Sequence, residues 1–278
     1  MNRDQNSDLI KQTSDTRCQT LSSEQNFGGP SSRDEAAQRS VLMLGSKGLR
    51  QLRKARIALL GLGGVGGAAA EALSRCQIGK LLIIDPDVVS PSNLNRQIIS
   101  SQENIGQSKC ALWQSRIHSI DPEIEVETKA IFIDGQSDLS FLNDYDYVLD
   151  CIDTVTAKIR LALHCHEMHI PFISCMGTAR KSDPTRLRVL DLFETQGDPL
   201  CKVMRRELRK RGLNQLKIVA SDEAPQGLSP THFPGEKRLG SMIFVPASAG
   251  LLLAKTVIDD LAPTLSEEEA ESCYDLSL

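Results

Sequence analysis

Residues 56–76, RIALLGLGGVGGAAAEALSRC, place a short β-rich run, a glycine turn and a helical stretch in immediate succession. Gly61, Gly63 and Gly66 satisfy G-x-G-x-x-G. Such glycines permit the tight turn and let backbone N–H groups approach a phosphate, while the helix N-terminus that follows supplies partial positive charge. Outward from this turn, further β-rich runs alternate with helical patterns: LLII (81–84), VETKAIF (126–132), YVLD (147–150) and FISC (172–175), with SKCALWQSRIHSI and TAKIRLALHCHEM between them. These are the strands and crossovers of a parallel sheet covered on both faces. The expected fold is therefore α/β, a Rossmann-like, doubly wound and mainly parallel sheet. From about residue 184 the runs RLRVLDLF and KIVA, the basic stretch PLCKVMRRELRKRGL and a closing helix after Pro246 extend it with C-terminal strands and helices.

The 278 residues are 40% apolar and 24% charged, which excludes collagen-like, coiled-coil and wholly disordered classes. A net charge of -4 argues against a general polyanion-coating protein, though a local basic patch stays compatible with it. Residues 1–36, rich in Ser, Gln, Asn and Asp, are expected to be a disordered tail, and 263–278, with Glu267, Glu268, Glu269, Glu271 and Asp275, an acidic one. Between them lies one domain, 37–262. The longest apolar stretch, Ile243–Ala254, falls short of the roughly 20 residues that span a bilayer. With no apolar leader at the N-terminus, the expectation is a cytoplasmic protein without membrane contact. Eight cysteines without a C-x-x-C pair read as reduced thiols.

On the glycine turn alone, a NAD-dependent oxidoreductase and an ATP user are equally compatible. Asp85 ends the second run where a carboxylate accepts bonds from a ribose. The discriminating stretch is DPDVVSPSNLNRQI, 85–98, a polar loop holding Asp87, Asn93, Asn95, Arg96 and Gln97, followed by Lys109 at a helix start. An Arg and a Lys at the mouth of a phosphate turn suit a triphosphate. A lysine at a helix N-terminus opposes the dipole and calls for an anion. No G-x-x-x-x-G-K-[ST] occurs, which excludes a P-loop. YVLDCIDT puts Asp150 and Asp153 at the carboxyl edge of the sheet, where one carboxylate would hold Mg²⁺ beside phosphates, or Asp153 or Thr154 would cap the next helix. His164, Cys165, His166 and His169 spread around a helix and do not converge as zinc ligands. Cys201 has no adjacent base and reads as packing or surface.

Together GLGGVG, the D-x-D at 85–87, SNLNRQ at 92–97, Gly106 with Lys109, and CID at 151–153 resemble the ubiquitin-activating-like adenylating enzymes, the ThiF and MoeB superfamily. That resemblance implies activation of a carboxylate at the α-phosphate of ATP, with an acyl-adenylate formed and pyrophosphate released. It also implies that Gly61, Gly63, Gly64 and Gly66 form the phosphate turn, with Gly63 and Gly64 nearest the phosphates, and that Asp85 and Asp87 lie on the nucleotide, Asp85 at its ribose. Asn93, Arg96 and Lys109 would contact the triphosphate and Asp153 the metal and α-phosphate, these four being the catalytic candidates. Arg39, six residues before Gly45, matches a position from which a neighbouring subunit reaches into the site, implying a homodimer. The C-terminal half, with SCMGTARKSDPTRLRVLDLF, SDEAP and GSMIFVP, resembles the tRNA threonylcarbamoyladenosine dehydratase branch, which cyclises a threonyl carboxylate onto its neighbouring ureido group. It departs at Ala220-Ser221-Asp222, where Tyr-Ser-Glu-like residues are expected. Without two C-x-x-C pairs no structural zinc is expected, which disfavours the alternative of adenylating a ubiquitin-like sulfur carrier. Residues 92–109 disfavour the NAD alternative, and a catalytically inactive tRNA-binding module is a third.

From Leu200 to Arg211, Lys202, Arg205, Arg206, Arg209, Lys210 and Arg211 oppose only Glu207, a local +5. The spacing puts Lys202, Arg205, Arg206 and Arg209 on one helical face. This is the expected tRNA-binding surface, with Arg180, Lys181, Arg186 and Arg188 as extensions, and a solvated helix face is the alternative. Residues 37–180 are thus the expected ATP-binding half and 181–262 the substrate- and tRNA-facing extension. A sulfur-transfer protein is a further candidate partner.

Overall fold

The computed structural model describes residues 32–196, 198–227 and 239–265; the expected tails at 1–31 and 266–278, with Cys18 and Cys273, lie outside the described residues. Helix α1, Ser32–Leu52, starts inside the stretch expected to be a tail and is broken at Gly45, whose φ of 66° and ψ of 167° are not helical. After it, strands and helices alternate: β1 (Arg56–Leu60), α2 (Gly64–Arg75), β2 (Lys80–Ile84), α3 (Lys109–Ile120), β3 (Glu125–Lys129), β4 (Tyr147–Asp150), α4 (Val155–Glu167), β5 (Phe172–Cys175), β6 (Leu187–Asp191), α5 (Pro199–Arg209), β7 (Lys217–Ser221) and α6 (Phe244–Leu261).

The seven strands form one sheet in the order β3-β2-β1-β4-β5-β7-β6. All neighbours are parallel except β6, which runs antiparallel on the edge of β7. This is the doubly wound sheet expected, with the C-terminal strands continuing it. β3 is shorter than VETKAIF: pairing with β2 stops at Lys129, because β2 itself ends at Ile84, and Phe132 is exposed beyond it.

The period-2 pleat sends alternate residues to opposite faces. Ile57, Leu59, Leu81, Ile83 and Leu149 pack with α2, α3 and α6 around Trp113, while Ala58, Leu60, Leu82 and Val148 pack against Ala157, Leu161 and Cys165 of α4. Cys201, Met204 and Leu208 of α5 cover the rest of that second face with Ile218 and Ala220. Each such fully buried aliphatic side chain contributes about 1.5–3 kcal/mol. Helix α6, the last described, lies against α2 so closely that a Cβ on Gly250 would stand 2.1 Å from the Val65 carbonyl oxygen. Among the described residues no helix is long and apolar enough to cross a membrane.

The strand order reverses between β1 and β4. Both leave the sheet side by side, with Leu60 opposite Asp150 and Leu60 opposite Ile84 on its other flank. Crevices at such switch points, outside the carboxyl ends of the strands, are where open α/β sheets bind ligands.

Candidate active site

β1 runs into Gly61, whose φ of +90° favours glycine; a Cβ there would meet the Cys151 carbonyl oxygen at 2.7 Å. Gly66 is tighter still, since its Cβ would stand 1.8 Å from the Gly61 carbonyl oxygen. The turn therefore fixes both glycines by packing. Gly63 differs: the nearest atom to a Cβ there is the Gln97 Nε2, 4.0 Å away. Gly63 caps α2 with no side-chain hydrogen bond, and the first turn of that helix carries no acid. The free N–H groups of a helix start, with the positive end of its dipole, thus meet open space at Gly63, a cradle that suits a phosphate.

The two carboxylates after β2 differ in freedom. Asp85 is buried; its Oδ2 accepts the Leu62 N–H at 2.7 Å and its Oδ1 the Asp87 N–H at 2.9 Å. It is pinned beside the glycine turn, where the resemblance places a ribose. Lys109 already has, within the chain, the anion that its place at a helix start calls for. Its ammonium stands 2.8 Å from Asp87 Oδ2 and 3.5 Å from Asp85 Oδ1, because the backbone pairing of Val88 with Ser108 brings the two segments together. The carboxylate of Asp87 is accordingly directed at Lys109.

The loop that follows closes the other side of the turn. Asn93 is buried, its Oδ1 accepting the Ser90 N–H at 2.9 Å. Arg96 donates from Nη1 to the Ser92 carbonyl at 2.7 Å and to Asn95 Oδ1 at 3.0 Å, and its backbone carbonyl lies 3.2 Å from a Cβ built on Gly64. Asn95 in turn donates to the Ser241 carbonyl just before α6, while Pro246 of α6 also touches Gly64. The fold thus brings Gly61, Gly63, Gly64, Gly66, Asp85, Asp87, Arg96 and Lys109 to one crevice. Arg39 lies on α1, exposed and without an ion pair among the described residues.

At the end of β4 the two aspartates separate into different roles. Asp150 is fully buried and paired with Lys158 of α4 at 2.9 Å; its Oδ2 also accepts the Ser174 hydroxyl at 2.6 Å, and its Oδ1 the Ile152 N–H at 3.0 Å. Asp153 is exposed and makes no hydrogen bond or ion pair among the described residues, and Thr154, the N-cap of α4, uses no side-chain bond. Capping therefore does not occupy Asp153, which suits a carboxylate for a divalent cation beside phosphates. Between them, burial holds the Cys151 thiol well above its ordinary range. It is protonated and no nucleophile, and Cys201, raised to about 12 chiefly by burial, is equally inert. His164 hydrogen-bonds Asn143 while Cys165 lies in the core, so the histidine-rich turn does not converge.

The basic surface is smaller than its composition suggests. Arg205 is turned onto the body, donating to Thr195 and to the Leu192 carbonyl, and the Arg209 guanidinium stacks 5.4 Å from the Phe193 ring centre. Both orientations have one cause: the turn after β6 lies beside α5 and offers acceptors and a π face. Arg206, Lys210 and Arg211 converge on Glu207, whose carboxyl they pull down to about 2, Arg211 most strongly. Lys202 is exposed, without a side-chain partner among the described residues. Lys181 is not an extension of the patch, since it is buried against Asp198 and the Ser221 carbonyl. Arg186 pairs with Asp222, Arg180 donates to the Gln226 and Gly227 carbonyls, and among the described residues only Arg188 of these four carries no ion pair or side-chain hydrogen bond.

Three residues matter more than the sequence pattern signals. Lys158 neutralises the buried Asp150, yet a lone lysine in a helix gives no hint of burial. Gln97 is buried beside Gly63, its Oε1 without a partner among the described residues. Glu223, one residue past the departure at Ala220-Ser221-Asp222, accepts the Asp183 and Ser182 N–H groups, which hold its carboxyl below the ordinary range and tie the segment after β5 to the end of β7.

Residues 36–251 match the model of the ThiF family. The chain is 38% identical over 237 residues to a tRNA threonylcarbamoyladenosine dehydratase of Bacillus subtilis, covering 80% of this chain and 93% of that one. It superposes on a crystal structure of the tRNA threonylcarbamoyladenosine dehydratase of Escherichia coli in complex with ATP with a TM-score of 0.72 and 31% identity, covering 82% of this chain and 92% of that one. An adenylyltransferase and sulfurtransferase of Candida albicans is 32% identical, but over 56% of this chain and 32% of its own length. On the extent of the first match, and with the glycine turn, Asp85, Arg96, Lys109 and Asp153 inside it, the chain belongs to the ThiF family.

Proposed function

We propose that this protein is an ATP- and Mg²⁺-dependent tRNA threonylcarbamoyladenosine dehydratase. The observation that carries the reading is the crevice between β1 and β4. It holds a helix start open at Gly63, a carboxylate pinned by the Leu62 N–H, two cations and an unengaged Asp153 within a chain matching its Bacillus relative over 93% of that relative's length.

The threonyl carboxylate of the modified adenosine attacks the α-phosphate of ATP and pyrophosphate departs; the adjacent ureido group then attacks the activated carbonyl, closing the ring and releasing AMP. The net change is loss of water from the nucleoside at the expense of one ATP. Gly63, Gly64 and the first N–H groups of α2 receive the phosphates. Asp85 takes the ribose, Asn93, Arg96 and Lys109 the triphosphate, and Asp153 the metal. Held by Asp153, Mg²⁺ would supply charge neutralisation for the phosphates. No cysteine thioester is required, which agrees with the raised thiols of Cys151 and the buried Cys201.

Lys202, Arg206, Arg209, Lys210, Arg211 and Arg188 present the tRNA-facing charge of the 181–262 half, with 37–180 carrying the nucleotide. Arg39 reaches the site of a second subunit in a homodimer, the enzyme works in the cytoplasm, and a sulfur-transfer protein is a further partner. The test is incubation with ATP, Mg²⁺ and tRNA bearing threonylcarbamoyladenosine, followed by nucleoside mass spectrometry. A nucleoside lighter by one water, with stoichiometric AMP, is expected. An unchanged nucleoside, with pyrophosphate exchange driven instead by a carrier protein ending in Gly-Gly, would reassign the substrate.

A further inference from the structure

The ion pair between Lys109 and Asp87 has a feature that nucleotide binding by itself does not require. Lys109 is nearly sealed, its side chain 4% exposed, and both of its partners are carboxylates. One of the two cannot leave: Asp85 is 7% exposed and held by two backbone N–H groups. The other can. The Asp87 side chain is 64% exposed, accepts no other side chain's hydrogen bond among the described residues, and holds the ammonium at 2.8 Å. The facing of the two residues does not depend on that bond. The Lys109 N–H donates to the Asp87 carbonyl at 3.1 Å, the Val89 N–H to the Gln107 carbonyl at 2.9 Å, and the Gly106 N–H to the Val89 carbonyl at 2.8 Å. Backbone pairing places the lysine, and the Asp87 carboxylate adds only a charge that can be exchanged.

We propose that Asp87 is the exchangeable counter-ion of Lys109: it holds the ammonium until a polyphosphate displaces it, and takes the ammonium back as pyrophosphate departs. This rests on the nucleotide reading above and adds a regulator of it. A buried ammonium left with a single carboxylate at 3.5 Å would bind any anion strongly and release it slowly. A movable second carboxylate lowers polyanion affinity by competition and speeds release, at a cost that rises with the number of phosphates to be accommodated. Asp87 is thus a positioning residue acting through Lys109.

The experiment is calorimetric titration of adenosine, AMP, ADP and ATP, each with Mg²⁺, into wild type, D87N and D87E, with steady-state turnover on modified tRNA. In D87N the affinity should rise with phosphate number, about tenfold for ATP, about threefold for AMP and not at all for adenosine. Its KM for ATP and its kcat should fall together, since pyrophosphate leaves more slowly, and D87E should restore the wild-type gradient. An equal change for all four ligands, or ATP affinity weakened in D87N, would overturn the exchange role. If wild type binds adenosine nucleotides and D87N is flat across them, this inference alone fails. If wild type binds none of them, the nucleotide reading fails and carries the exchange role with it.

Discussion

Removing the Lys158 ammonium tests how much of the site depends on a buried charge pair. Lys158 and Asp150 are 1% and 0% exposed, and the lysine also donates to the Ser174 hydroxyl at 3.2 Å and the Cys175 carbonyl at 2.7 Å. Lys158→Met keeps much of the side-chain volume and leaves the Asp150 carboxylate in the core with two neutral donors, Ser174 and the Ile152 N–H. Stripping one partner from a buried pair costs about 3–5 kcal/mol, most of it the uncompensated charge. In a body of this size 1 kcal/mol corresponds to roughly 2–4 °C, so the melting temperature should fall by on the order of 10 °C. The assay is urea and thermal unfolding of wild type, K158M, D150N and K158M/D150N at neutral pH. The double variant buries no charge and should be more stable than either single variant, with a coupling energy of about 2–3 kcal/mol. A loss below 1 kcal/mol in K158M, or additive single losses, would refute the reasoning that this pair is dry and mutually required. Because the Ile152 N–H donates to Asp150, the pair also sets the turn that presents Asp153, so K158M should lose turnover even below its melting temperature.

Gly66→Ala should abolish ATP binding in titration, because its Cβ would collide with the Gly61 carbonyl 1.8 Å away and the turn must open; ATP binding within threefold of wild type would contradict a rigid turn. Glu207→Gln releases Arg206, Lys210 and Arg211 from their shared carboxylate, so tRNA affinity measured against salt should rise and its log–log slope should steepen by about 1. The Glu207 carboxyl sits near 2 because of those cations, Arg211 first, so its stabilising pairs are intact above the ordinary glutamate range and lost only as pH falls toward 2. Wild-type tRNA affinity should therefore show no step from this group between about pH 5 and 8. Arg205→Ala, by contrast, should lower stability and leave the salt slope unchanged, since that guanidinium is spent on Thr195 and the Leu192 carbonyl; a slope reduced by about 1 would return it to the RNA surface.

The strands were legible because a parallel sheet covered on both faces needs unbroken apolar runs, and IALL, LLII, YVLD and FISC each fall on a strand of the sheet. The run VETKAIF overshoots because apolarity persists through Ile131 and Phe132 after the neighbouring strand has ended, and strand length is set by the partner as much as by the run itself. The glycine turn was legible for a stricter reason. At Gly61 and Gly66 a side chain is excluded by backbone atoms, so the residue type encodes the geometry directly.

Charged residues carry no such encoding, and here the sequence pattern and the structure part. Six bases within ten positions of α5 and the turn after it give a local excess of positive charge, but which of them face solvent depends on what lies beside the helix. Phe193 and Thr195 come from a turn whose position no helical periodicity contains. Lys181, next to Arg180 in sequence, is drawn inward because Asp198 at the start of α5 lies 3.1 Å from its ammonium. The same holds at the nucleotide crevice. The helix dipole correctly says that Lys109 needs an anion, but the sequence does not reveal that Asp87 and Asp85 supply one from 22 and 24 positions earlier. A charge's partner is a tertiary fact, and at Lys109 it shapes the proposal: a lysine already paired with Asp87 would reach a phosphate only by leaving that carboxylate, so under the exchange proposed above Asp87 would belong to the mechanism as much as the phosphate would.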